Sequence, residues 1–123
     1  MTHRWTVKWL PEAVQDLEAL DRSVRVRILK AVWKLRRDPS IGAPLGEKHN
    51  LNLTGFRKLE PGAYRVVYQV YENHVMVLVV AVGKREKEYV YRLAGERARE
   101  LRRKTDEELE AISNILKEFS LGR

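Results

Sequence analysis

Cysteine is absent from all 123 residues. That excludes disulfides and thiolate metal sites, and it fits a reducing cytoplasm. No run reaches the roughly 18 apolar residues that a membrane span requires. The opening MTHRWTVKWL also lacks the apolar core of a signal peptide, so a cytoplasmic protein without membrane contact is expected. His3, His49 and His74 fall in different elements with no ligand spacing, which makes them surface residues rather than catalysts. There is no Gly-rich phosphate loop, HExxH or GxSxG pattern, and the acidic residues are too scattered for a magnesium site. No metal and no cofactor are expected.

What is present describes one compact domain. Charged residues make up 33% of the chain and apolar ones 44%, an ordinary globular balance. The formal charge of +7 is uneven: residues 1–95 hold 17 Lys/Arg against 10 Asp/Glu, whereas residues 96–123 hold 7 of each. A basic body ahead of a balanced tail favours a polyanion, either nucleic acid or an acidic protein.

In chain order, WTVKWL (Trp5–Leu10) reads as a strand. Pro11 and Glu12 then suit the first turn of a helix with Val14, Leu17 and Leu20 on its apolar face. Val24, Ile28, Val32 and Leu35 predict a second helix from Ser23 to Arg37, ended by Asp38-Pro39 and packed antiparallel to the first. Ser40–Asn52, with Gly42, Pro44 and Gly46, reads as a loop. Strands follow at Leu53–Glu60, Ala63–Tyr71 and His74–Gly83, with turns at Pro61-Gly62 and Glu72-Asn73. VMVLVVAV (Val75–Val82) is apolar on both faces, as a strand inside a sheet should be. Trp5, Trp9 and Trp33 are read as core. A helix begins after Gly83 and runs towards Leu101, weakened or broken at Gly95. Thr105 and Glu108 have capping-box spacing, predicting a last helix over Asp106–Phe119. The fold class is therefore α+β: a small antiparallel sheet, an N-terminal helical hairpin on one face, and C-terminal helix or helices. Residues 1–95 form the main domain and residues 96–123 a helical extension of it.

The cations gather around one hairpin. With a two- or four-residue loop at Pro61-Gly62, Lys58 faces Arg65 directly; a three-residue loop breaks that pairing. Like charges so placed repel unless an anion lies between them. Alternation sends Tyr64, Val66, Tyr68 and Val70 to the core with Leu53 and Leu59, and Arg65, Val67 and Gln69 to the other face with Lys58. Lys84 and Arg85 arrive at the same end of the sheet, so Lys58, Arg65 and Arg85 are expected to converge. The competing reading is a solvated basic rim, with Tyr91 a packing residue.

At these residues GFRKLEPGAYRVVYQV, followed by VVAVGKREKEYVY, resembles the RelE toxins within the RelE/ParE superfamily of toxin–antitoxin pairs. The similarity covers about residues 4–95 and is sharpest over Leu59–Tyr91. It implies a small sheet with a helical hairpin, and a metal-independent endoribonuclease that cuts messenger RNA in the ribosomal A site and so inhibits translation. It also implies a cognate RelB-like antitoxin held in a hetero-oligomer, and contact with the ribosome and its 16S rRNA. Residue by residue it implies catalytic roles for Lys58, Arg65, Arg85 and Tyr91. The cations Arg57, Lys84 and Lys48 are expected as further RNA or phosphate contacts. The family often carries a second lysine two positions before the first; here that place holds Phe56.

In that chemistry the RNA 2′-oxygen attacks its own 3′-phosphate, giving a cyclic phosphate and a free 5′-hydroxyl. Fixed cations meet the charge that builds on phosphate. Arg65 suits a phosphate clamp. Lys58, crowded by Arg65 and Arg85, is expected to lose its proton more readily and act as base. Arg85 meets the leaving oxygen, and Tyr91 stacks on or orients the neighbouring base. Two alternatives share the fold: a ParE-like gyrase-inhibiting toxin, and a catalytically silent RNA- or protein-binding module.

Overall fold

The computed structural model describes residues 4–48, 51–85 and 89–103. Its elements run β1 (Thr6–Trp9), α1 (Pro11–Glu18), α2 (Arg22–Trp33), β2 (Ala43–Lys48), β3 (Leu51–Leu59), β4 (Tyr64–Tyr71), β5 (Met76–Lys84) and α3 (Tyr89–Arg103). Short 3-10 turns at Lys34–Arg36 and Pro39–Ile41 lead from α2 into β2. The five strands lie in the order β1-β5-β4-β3-β2. β1 runs parallel to β5, and every other neighbour is antiparallel.

β5 sits between β1 and β4, so its MVLVVAV run is covered on both faces, as its unbroken apolarity predicts. One face holds Val77, Val79 and Val82 with Val66 and Tyr68, packed under Ala13 and Leu17 of α1 and Ile28 and Val32 of α2. The other face holds Val80 and Ala81 with Leu53, Phe56 and Val67, packed under Val90, Tyr91, Ala94 and Ala98 of α3. Val80 and Ala81 share a face because the β4–β5 register slips by one residue between Val67 and Tyr68. The helical hairpin covers one face as expected, and α3 takes the opposite face. Helix therefore lies on both sides of the sheet.

Four local expectations are corrected. The segment read as a loop contains β2: Pro44 is tolerated there because the strand lies at the sheet edge, where a missing N–H breaks no inner ladder. Leu53 joins the α3 side rather than the hairpin side. Gly55, at φ +89, takes a conformation most side chains resist, and the β2–β3 register shifts across this stretch, resetting the alternation. α3 passes through Gly95 unbroken, because burial of Val90, Ala94 and Ala98 outweighs the roughly 1 kcal/mol that glycine costs a helix. Trp33 is 63% exposed, its ring covered by the Arg36 guanidinium 4.3 Å from the centroid, while Trp5 and Trp9 do pack on the core. The helix predicted over Asp106–Phe119 lies outside the described residues.

Among the described residues, an ion pair joins the two helical layers. β1 ends at Trp9, where the Leu10 N–H still reaches the Val79 carbonyl at 3.0 Å, and beyond it the β5 backbone meets side chains instead of a strand. Asp16 of α1 accepts the Val82 N–H at 3.0 Å. Arg97 of α3 donates to the Val80 carbonyl at 2.9 Å and binds both oxygens of Asp16, at 2.6 and 3.1 Å. The two side chains are only 14% and 15% exposed. Removing one partner strands the other charge, so Asp16→Ala is expected to lower the unfolding free energy by about 3 kcal/mol in urea titration. The apolar pair Asp16→Leu with Arg97→Met should recover most of that loss. Equal losses in the single and paired variants would count against this account.

Candidate phosphate-binding site

The site is built on the β3–β4 hairpin end. Pairing is Lys58 with Val67 and Leu59 with Val66, so Lys58 does not face Arg65. The turn is wider than a two-residue loop: the Tyr64 N–H reaches the Pro61 carbonyl at 3.2 Å, with Gly62 at φ +63. The register differs from expectation by two, an even number, so both cations still lie on the same face as Val67, the α3 side. The residue set against Arg65 at this end is Glu60. Its Oε2 lies 3.2 Å from Lys58 Nζ and 3.2 Å from Arg65 Nε. The predicted repulsion is thus replaced by a shared carboxylate.

Arg65 is the one charged or polar residue classed as buried among those described, 6% exposed. Its Nη1 donates to the Gly62 and Tyr64 carbonyls at 3.0 and 2.7 Å, so the turn that the arginine follows also holds it. Its Nε finds no hydrogen-bond acceptor among the described residues, although Glu60 lies near. That contact is a charge interaction with the N–H poorly aimed. Tyr91, in the first turns of α3, is buried, and its ring centroid lies 5.9 Å from Lys58 Nζ. Lys58, Arg65 and Tyr91 are therefore brought together, with Glu60 among them.

The remaining predicted residues are placed differently. The Arg85 N–H donates to the Ala63 carbonyl at 3.0 Å, so the residue joins the turn end of the sheet with its side chain exposed. Lys84 pairs with Tyr64 and so shares the hairpin face, away from Lys58. Arg57 pairs with Tyr68, and its Nη1 donates to the Gly42 and Ser40 carbonyls at 2.6 and 3.3 Å on that same opposite face. It does not stand in for a lysine at position 56. Phe56 is 3% exposed, in the cluster that contains Tyr91. Lys48 closes the far end of the β2–β3 pair, opposite Leu51. Sequence reasoning missed Glu60, taken only as a strand end; its place between Lys58 and Arg65 in KLEPGAYR was the available signal. No cluster of three metal-binding side chains occurs among the described residues, and none of their helices is long and apolar enough to cross a membrane.

Residues 7–89 match the family model described as the ParE toxin of the type II toxin–antitoxin system. A RelE-like toxin protein of Escherichia coli is 34% identical over 96 residues, spanning 78% of this chain and 99% of its own. The chain belongs to the RelE/ParE superfamily of type II toxins. Within that superfamily, the mRNA interferase toxin RelE of E. coli K12 is 33% identical over 79 residues, covering 64% of this chain and 81% of the relative. Among solved structures, the RelBE2 toxin–antitoxin complex of Mycobacterium tuberculosis superposes with a TM-score of 0.59 at 26% identity, covering 67% of this chain and 92% of that one.

Behind the toxin's site, Tyr68 ties β4 to the lead-in of β2. Its hydroxyl donates to the Pro39 carbonyl at 2.6 Å and accepts the Gly42 N–H at 3.0 Å. Burial pushes Tyr68 above the ordinary tyrosine value of 10.0, partly offset by the Gly42 bond. Tyr68→Phe leaves two buried backbone groups unpaired and is expected to destabilise the fold by about 2 kcal/mol. The stability carried by the neutral hydroxyl is complete below the unfolded value of about 10 and is lost as pH rises through the raised folded value. Alkaline unfolding curves should therefore fall more steeply for wild type than for Tyr68→Phe; parallel curves would contradict this.

Proposed function

We propose that this toxin is a RelE-type endoribonuclease that cuts messenger RNA in the ribosomal A site, without a metal. The observation that carries the reading is the pair of cations, Lys58 and Arg65, held 3.2 Å from one carboxylate oxygen beside the Tyr91 ring. A phosphodiester has the charge and oxygen geometry to occupy that position. Support comes also from the relative named an mRNA interferase.

In the reaction, the 2′-hydroxyl loses its proton and its oxygen bonds to the adjacent phosphorus. The bond to the 5′-oxygen breaks, and that oxygen takes a proton from solvent, leaving a 2′,3′-cyclic phosphate and a 5′-hydroxyl. Arg65, fixed by its own turn, meets the charge on the non-bridging oxygens without having to reorganise. Arg85, exposed at the same end of the sheet, meets the leaving oxygen. Tyr91 orients the base beside the cut. Lys58 takes the 2′ proton as its neutral amine, and this role requires that Glu60, 3.2 Å away, withdraw from it. The partner in this reading is a RelB-like antitoxin, supported by the toxin–antitoxin complex among the similar structures and by a basic body suited to an acidic segment.

The test is primer extension on a reporter messenger RNA in a reconstituted translation system. Cuts within A-site codons should appear only with ribosomes and fall about 100-fold or more in Arg85→Ala. Lys58→Ala should lose about 100-fold or more as well, and an unchanged rate there would remove the base assignment. The family model names ParE toxins, which favours gyrase inhibition as the second reading. Intact RNA with blocked supercoiling by gyrase would establish that activity instead.

A further inference from the structure

Glu60 has no part in the reaction as derived, yet it touches both cations. Its side chain is 49% exposed, whereas those of Arg65 and Lys58 are 7% and 16% exposed. Of the three it is the most exposed. Arg65 is locked by the Gly62 and Tyr64 carbonyls, while Glu60 follows the last paired residue of β3, at the mouth of the turn. The buried Arg65 Nε–H sits near the carboxylate without a hydrogen bond to it, so a better-aimed acceptor would gain what Glu60 leaves unmade.

We propose that Glu60 is a built-in competitor for the phosphate position, an internal anion that neutralises Lys58 and Arg65 in the free toxin and is displaced by the RNA backbone. This rests on the reading of that position as an RNA phosphate site. The carboxylate sets the threshold for binding. A loose strand, offering one phosphate, must expel it, whereas RNA held in place by other contacts does so readily. Glu60 thereby lowers affinity for stray polyanions while leaving the cations in place.

The test uses a fluorescein-labelled single-stranded RNA oligonucleotide made non-cleavable by a 2′-O-methyl sugar at every position, with the whole toxin and no ribosome. Glu60→Gln and Glu60→Ala are compared with wild type and with Glu18→Gln, which removes the same charge from an exposed site on α1. Both Glu60 variants are expected to bind about tenfold more tightly, with a salt dependence steeper by about one phosphate contact; Glu18→Gln should change affinity less than about twofold. Circular dichroism melts confirm that each variant is folded. Affinity in the two Glu60 variants equal to that of Glu18→Gln, weaker than wild type, or unmeasurable overturns the proposal and leaves Glu60 a structural clamp. The ribosome assay is separate: tighter binding without cleavage keeps the competitor and removes the nuclease, and cleavage without tighter binding does the reverse.

Discussion

The constraint on which the molecule depends is that β5 is apolar on both faces. A strand of that kind is stable only when each face is covered, and among the described residues both faces are. α1 and α2 take one side and α3 the other. The short β1 leaves part of the β5 edge without a neighbouring strand, and Asp16 and Arg97 fill that gap from opposite layers. Their ion pair stands in for a missing strand as much as it links two helices. Because α3 carries Tyr91, the geometry beside Lys58 depends on how α3 is seated.

The site is then a product of turn chemistry. Pro61 and Gly62 widen the connection enough that its carbonyls turn towards Arg65 and hold the guanidinium. A buried arginine is tolerated only when its charge is answered. Two carbonyls and one half-exposed carboxylate answer this one, leaving Nε poorly served. In the proposed reading, a cation so fixed meets a phosphate without moving, as stabilising a developing charge requires. Phe56 belongs to the same logic: with α3 covering this part of the sheet, an apolar side chain there extends the core that seats Tyr91.

The sequence made the elements and the faces legible where periodicity was strong. Alternation in YRVVYQV put Tyr64, Val66 and Tyr68 against the hairpin and Arg65 on the other face, as the structure has them, because a period-two pattern depends only on the parity of the register. What parity cannot fix is the pairing itself. The true register differs by two residues, which kept Lys58 and Arg65 on one face and set Glu60 rather than Lys58 against Arg65. β2 was hidden because Gly42, Pro44 and Gly46 carry loop chemistry, and only the edge position excuses the proline. Leu53 was misplaced for a related reason: the irregularity at Gly55 resets alternation without leaving a hydrophobic signature. Trp33 looked like core by type, but Arg36 covers its ring at the surface instead.

The superfamily holds at least two activities on one fold, so the sheet and its helices cannot discriminate between them. Discrimination has to come from the charge arrangement at the β3–β4 turn. A surface that merely attracted a polyanion would need exposed cations, and the long-range pull of a +7 chain already supplies that. Burying Arg65 to 6% exposure adds nothing to attraction at a distance. It fixes the guanidinium against the Gly62 and Tyr64 carbonyls, a geometry that acts on a partner only in direct contact. In the reading proposed above, that partner is a phosphate whose charge changes during reaction.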